Sequence, residues 1–177
     1  PPLVVCTVMK EFLVWFIHLH LDFRVPEFES LCATFDIEYE LGEMEAGSPF
    51  MVVQLPSADA AMKIAQRAIL IKGIYELWGD AKDYESLETN IKNYLSTNEK
   101  QISETCSGDW TFRLKVEGFG RKYSSQQQME IMLKFSFMDI LQGKVNLSNP
   151  DQVFWVIEEV GENKSKETPP KRVMFTR

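Results

Sequence analysis

The sequence predicts an α+β chain of two units, a split β-α-β unit followed by a second unit in which strands and helices mix. Three observations predict it. FLVWFIHL at 12–19 is almost continuously apolar, as a strand buried on both faces would be. Strand-length segments rich in β-branched and aromatic residues then alternate with segments whose apolar residues recur every three or four positions. Charge is also divided unevenly. Residues 1–95 carry 7 Lys and Arg against 15 Asp and Glu, a balance of −8, whereas residues 96–177 carry 12 against 11, a balance of +1. An acidic front and a mixed back point to units with different partners.

Residues 1–8, PPLVVCTV, precede the first methionine and are set aside as upstream of the expected fold, which begins at Met9. After the strand at 12–19 the chain turns into a helix. Pro26 suits the first helical position, Glu27 and Glu29 suit the first turn, and Val25, Phe28, Leu31, Cys32 and Phe35 form one face. DIEYEL at 36–41 alternates, with Ile37, Tyr39 and Leu41 to one side, and reads as a half-exposed strand. Gly47-Ser48-Pro49 is a turn into FMVVQL at 50–55. Ser57 is the candidate N-cap of a helix carrying Ala61, Ile64, Ala65 and Ala68, and ILIKGIYELWG at 69–79 closes the set. The order β-α-β-β-α-β is the ferredoxin-like arrangement with helices on one face, expected over residues 9–80.

The second unit is expected over residues 83–177. A helix from Asp83 to Leu95 presents Tyr84, Leu87, Ile91 and Tyr94, and the polar stretch 96–109 reads as a linker. WTFRLKVEGF at 110–119 alternates apolar Trp110, Phe112, Leu114 and Val116 with polar Thr111, Arg113, Lys115 and Glu117, and a helix follows from about Ser125. In KVNLSNPDQVFWVIEEVG, 144–161, Asn149-Pro150 breaks the chain because proline fixes φ and lacks an N–H. Val153 to Ile157 is then a buried strand, residues 161–172 are a polar loop, and Val173 to Thr176 is a short last strand.

Several classes are excluded. No apolar run approaches the roughly 18–20 residues of a membrane helix. Three widely spaced cysteines without a Cys-x-x-Cys pair support neither a zinc site nor a disulfide framework, so a reducing, cytoplasmic setting is expected. His18 and His20 lack a third metal ligand at suitable spacing, and no metal site is expected. Gly118-Phe119-Gly120 lacks the third glycine of a dinucleotide loop, since Tyr123 stands there. Arg24, between a strand and a helix N-terminus, occupies the place where acylphosphatase-like enzymes hold phosphate. It has no glycine-rich cradle, and Asp22 beside it would repel an anion, so it reads as structural. No catalytic residue is expected on the chain.

The net charge of −7 argues against a nucleic-acid binder taken whole. In the second half, however, Arg113 and Lys115 share the solvent face of a strand, Arg121 and Lys122 occupy the turn after it, Lys144 heads the 144–161 motif, and Lys171-Arg172 end the polar loop. Singly these are solvated charges. Recurring at the ends of elements, they could also form a rim that contacts phosphate.

FRLKVEGFGRKYS, the helix after it and KVNLSNPDQVFWVIEEVG together resemble a THUMP domain, an RNA-binding module of tRNA-modifying enzymes. With HLDFRVPEFESL, SPFMVVQLPS and IYELWG added, the sequence is similar to the N-terminal half of the eukaryotic tRNA guanine-N2 methyltransferases that act on the tenth nucleotide. The resemblance implies that residues 9–80 are the ferredoxin-like domain and 83–177 the THUMP domain, with Lys144 and Asn146 meeting RNA backbone. It implies tRNA as the ligand, S-adenosylmethionine as cofactor of a methyltransferase domain absent from this sequence, and a small zinc-binding activator subunit docking on that domain. No cofactor is expected on this chain. A protein-interaction or ligand-sensing regulator built on the ferredoxin-like half is the alternative, and an acylphosphatase-like hydrolase a distant third.

Overall fold

The computed structural model describes residues 9–105, 109–135, 143–161 and 168–177. The chain divides into two compact units, Pro1–Glu76 and Leu77–Arg177.

In the first unit β1 (Lys10–Phe16) is buried from Phe12 onward on both faces, as its unbroken apolar run demands. It ends three residues before the expected Leu19. A left-handed His20 (φ 49°) starts a 3-10 turn, Leu21–Phe23, that feeds α1 (Arg24–Phe35). Pro26 therefore lies third in the helix, still within the turn whose N–H groups need no intrahelical partner. Strand β2 is only Glu40–Leu41, because Asp36 takes a left-handed C-cap conformation (φ 53°) and Ile37 N–H bonds back to Cys32 O at 2.9 Å. The alternation of the stretch survives without a strand, since Ile37 and Tyr39 still pack on the core. Leu41, placed by the alternation on the same side, is exposed.

Strand β3 (Phe50–Leu55) pairs antiparallel with both β2 and β1. Helix α2 (Ala58–Arg67) is capped as expected, Ser57 Oγ accepting from Ala60 N–H at 3.1 Å. Strand β4 (Ile71–Ala81) pairs with β1 through Ile71–Glu76. The order β2-β3-β1-β4 puts β3 inside the β1-α1-β2 connection and β1 inside β3-α2-β4, the split arrangement read from the sequence. Phe28, Cys32, Val53 and Ile64, all fully buried, lie at its core.

The second unit takes the remainder of β4, Leu77–Ala81, which pairs with β8 (Arg172–Thr176). Its order is β4-β8-β7-β5-β6, with β5 (Thr111–Phe119), β6 (Lys144–Val145) and β7 (Gln152–Glu159). Strand β5 runs parallel to β6 and β7, while β8 is antiparallel to β7 and β4. The carboxyl ends of β4, β5 and β7 consequently lie at one end of the unit.

Helices α3 (Tyr84–Thr97) and α5 (Ser125–Met132) contribute Leu87, Ile91 and Ile131 to a core of aromatic residues. The Trp78 and Phe154 rings lie 5.0 Å apart, and Phe154 stacks on Phe175 at 5.6 Å. Gly79 lets α3 approach β4, since a Cβ there would lie 2.8 Å from Ile91 Cγ1. The stretch expected as a linker contains a further helix, α4 (Glu99–Thr105), whose polar surface hid its periodicity. No helix among the described residues is long and apolar enough to cross a membrane.

Candidate nucleic-acid interface

The motif KVNLSNPD is first a registration device. Asn146 Oδ1 accepts from Ser148 and Asn149 N–H at 3.1 and 3.2 Å, and its Nδ2 donates to Asn149 O at 2.9 Å, so one side chain closes the turn ahead of Pro150. Asp151 then accepts from Thr111 N–H at 2.8 Å and from Thr111 Oγ1 at 2.7 Å. These bonds hold the Asp151 carboxyl below the usual carboxylate range and tie the start of β7 to the start of β5. Lys144 extends from β6 into solvent, its Nζ 2.8 Å from the exposed Asp109 carboxylate. Arg113 donates to Leu147 O at 3.1 Å, bracing the same turn.

At the opposite end of β5 lie the other basic residues. Gly120 (φ 87°) and Gly161 (φ 91°) touch, and a Cβ on Gly120 would fall 1.8 Å from Gly161 O, so both chains can leave the sheet here only as glycines. Arg121 donates from Nη2 to Thr168 O, fixing the 168–170 segment. Arg172 makes a two-pronged ion pair with Asp80, Nε to Oδ1 at 2.7 Å and Nη2 to Oδ2. Lys122 and Lys171 are exposed, and neither makes an ion pair with a described residue. Midway along β5, Lys115 Nζ lies 4.4 Å above the Trp155 ring centroid.

Seven of the eight residues expected to face RNA therefore fall into two groups rather than one rim, with Lys115 between them. Arg113, Lys144 and Asn146 mark the amino end of β5, and Arg121, Lys122, Lys171 and Arg172 its carboxyl end, roughly 25 Å apart at about 3.3 Å per residue. Asn146, Arg121 and Arg172 are engaged in holding turns and strands. Lys122, Lys144 and Lys171 are the most exposed.

Between Arg121 and α3 sits a cluster that sequence reading passed over. Glu158, 3% exposed, accepts from Tyr84 Oη at one oxygen and from Tyr123 Oη at the other. Burial first, then the bond to Glu158, raises both phenol pKa values above the ordinary one, so both remain donors. A cavity of about 460 Å³ opens on this cluster. The sequence showed Tyr84 as one apolar position of a helix and Glu158 as the end of a strand; β8, paired with both β4 and β7, brings the start of α3 toward the end of β7, and the pairing of β5 with β7 adds Tyr123.

Of the remaining candidates, Arg24 is structural. Arg24 is 2% exposed and donates to Ser48 O at 3.1 Å and Leu21 O at 3.4 Å, inside the fold rather than at an anion site. His18 and His20 lie beyond the end of β1, and no group of three His, Cys, Asp or Glu side chains among the described residues could hold a metal ion.

Residues 10–177 match the family described as the Tmrp11 THUMP N-terminal domain. The chain belongs to that family. It is 32% identical over 157 residues to human tRNA (guanine(10)-N(2))-methyltransferase TRMT11, covering 88% of this chain and 33% of the relative. With the Saccharomyces cerevisiae tRNA (guanine(10)-N(2))-methyltransferase it shares 31% identity over 172 residues, 96% of this chain and 39% of that protein. The chain thus spans about a third of the length of the curated relatives it matches. Among solved structures it is similar to PH1313 from Pyrococcus horikoshii, with a TM-score of 0.54, 14% identity, and coverage of 96% of this chain and 54% of the other. That likeness is one of fold.

Most of the chain's basic residues lie in the second unit. Pro1–Glu76 holds 5 Lys and Arg against 11 Asp and Glu, a balance of −6, and Leu77–Arg177 holds 14 against 15, a balance of −1.

Proposed function

We propose that this chain is the tRNA-recognition region of an S-adenosylmethionine-dependent tRNA (guanine-N2)-methyltransferase, with the second unit as the RNA-gripping part. Membership of the THUMP N-terminal family across residues 10–177 carries the reading. Residues 9–80 and 83–177 are its two domains in this reading. Methyl transfer from S-adenosylmethionine belongs to a further domain of the whole protein, and a small zinc-binding activator subunit would act through that domain in the cytoplasm. The chain's own part is electrostatic and positional. Arg121, Arg172 and Asn146 set the shape of turns, while Lys122, Lys144 and Lys171, with Arg113 and Lys115, meet phosphate oxygens.

Gel-shift titration of this chain with unmodified tRNA tests the proposal. The expected result is binding that weakens steadily with salt, alongside no heat of binding with S-adenosylmethionine in calorimetry. Binding to tRNA that salt leaves unchanged, or none at low salt, would overturn it.

A second reading attaches to the first unit. Phe23 is 66% exposed and Ile69 80% exposed, and both line one shallow cavity, pinned where Glu27 accepts from Ile69 and Leu70 N–H at 2.8 and 2.9 Å. A rigid apolar patch on an acidic unit suits contact with protein rather than RNA.

A further inference from the structure

Four of the large apolar side chains exposed on the first unit gather at one end of it. Leu19, Leu21 and Phe23 occupy the turn between β1 and α1, and Ile69 the turn between α2 and β4. The two turns are neighbours, since Ile17 N–H donates to Leu70 O at 2.8 Å. Phe23 and Ile69 wall a shallow cleft of about 430 Å³.

Both turns are held rigid by bonds that leave these side chains outside. Glu27 spends its two carboxylate oxygens on the N–H groups of Ile69 and Leu70, and Arg24 donates to Leu21 O and Ser48 O. His20 stays left-handed, a conformation that side chains adopt at a cost, with its carbonyl accepting from Phe23 N–H at 2.9 Å. Apolar anchors on backbone already fixed lose little freedom when a partner covers them.

Charge selects the partner. Residues 17–49 hold 8 Asp and Glu against 1 Lys or Arg, a balance of −7, and that one cation, Arg24, is buried on backbone carbonyls. Asp22 stands between Leu21 and Phe23, Glu27 lines the cleft, and Glu43 and Glu45 lie in the loop between β2 and β3 that carries Ser48. Arg67 and Lys72 in the adjoining segment are too few to offset these carboxylates, and Lys72 Nζ lies 3.5 Å over the Trp15 ring. RNA and an anionic bilayer would both be repelled. A second copy using the same patch would bring two acidic segments face to face.

We infer that this end of the first unit docks a basic segment of another protein, one that sets an apolar side chain in the cleft and lysines or arginines around it. The assignment rests on the reading of the first unit as a protein-contacting one. Apolar anchors inside a charged rim divide the work, the anchors supplying affinity and the rim rejecting partners of the wrong sign.

An amphipathic helical peptide of leucine and lysine is the probe, titrated into this chain by fluorescence anisotropy and by amide chemical shifts. Binding is expected with shifts at residues 19–23 and 69–70. Phe23→Ser with Ile69→Ser should weaken it about tenfold, whereas Met62→Gln, at an exposed position on α2 outside the cleft, should leave it unchanged. Replacing the peptide's lysines by glutamate, or its leucines by serine, should abolish binding. No binding, shifts confined to other residues, affinity that the double variant retains, or equal binding of the glutamate peptide would overturn the basic partner. Self-association of the parent that the double variant loses, read by sedimentation, would overturn it in favour of a second copy. A fall in tRNA affinity in the double variant would overturn the protein-contact reading itself.

Discussion

The first unit buries Arg24 and the second buries Glu158, and the two charges are satisfied in different ways. In the first, Arg24 is walled in and spends its donors on the backbone carbonyls of Leu21 and Ser48. In the second, Glu158 is held by two side-chain hydroxyls beside an open cavity. A charge neutralised by backbone dipoles fixes the shape of a loop and faces nothing. One held by side-chain hydroxyls at a cavity wall ties a helix and a turn to the end of a strand, whereas the Arg24 position resembles a phosphate site in sequence only, its guanidinium being turned onto the backbone.

Substitutions at these two charges should separate the roles. Glu158→Ala strands two buried hydroxyls and is expected to lower stability by about 3 kcal/mol, read by denaturant unfolding, with Tyr84 and Tyr123 ionising at lower pH than before. Arg24→Met keeps the volume but leaves Ser48 O without its donor, so a smaller loss of about 2 kcal/mol is expected with tRNA binding unchanged. A change in tRNA affinity larger than the change in stability would remove the distinction between the two sites.

Alkaline titration sharpens the comparison further. The folded state raises the pKa of Tyr84 and Tyr123 above the ordinary 10.0, so it keeps protons that the unfolded chain releases. Their contribution is complete below about pH 10 and fades as the pH climbs above it. Tyrosinate absorbance should show these two phenols ionising only as the protein unfolds, and Tyr84→Phe with Tyr123→Phe should abolish that step. In the first unit the counterpart is Cys32, whose thiol burial and Glu29 push up to about 11. It should resist alkylation at neutral pH until the chain is denatured.

The smallest effect is expected at Asp151. Its lowered carboxyl pKa means that its contribution is present above the ordinary 3.8 and lost as the pH falls through the folded value. Asp151→Ala should speed amide exchange at Thr111 at neutral pH while leaving tRNA affinity in place.

What the sequence disclosed was what is local. The buried run of β1, the Ser57 cap and the alternation of β5 each depend on neighbours a few residues away, and the split β-α-β order followed from them. Strand β2 was read too long because Asp36 and Ile37 serve the end of α1, a capping role that alternation cannot express. Helix α4 was missed because a polar surface helix and a linker share a composition. The candidate interface was legible as residue types but not as partners. Arg172 finds Asp80 across 92 positions, and Tyr84 finds Glu158 across 74, contacts that exist only once the strands are ordered.

The salt dependence of tRNA binding tests the central claim, that the exposed cations of the second unit grip RNA and the acidic first unit does not. The parent chain, a triple variant with Lys122, Lys144 and Lys171 changed to Ala, and a control with Lys63 and Lys72 changed to Ala should be titrated across a range of salt concentrations. If the three lysines meet phosphates, the slope of log affinity against log salt should become shallower by roughly 2 to 3 in the triple variant, at about 0.7–0.9 per contact. The control should keep the parent slope. A triple variant with the parent's slope and affinity at low salt, its circular dichroism unchanged, would contradict the claim.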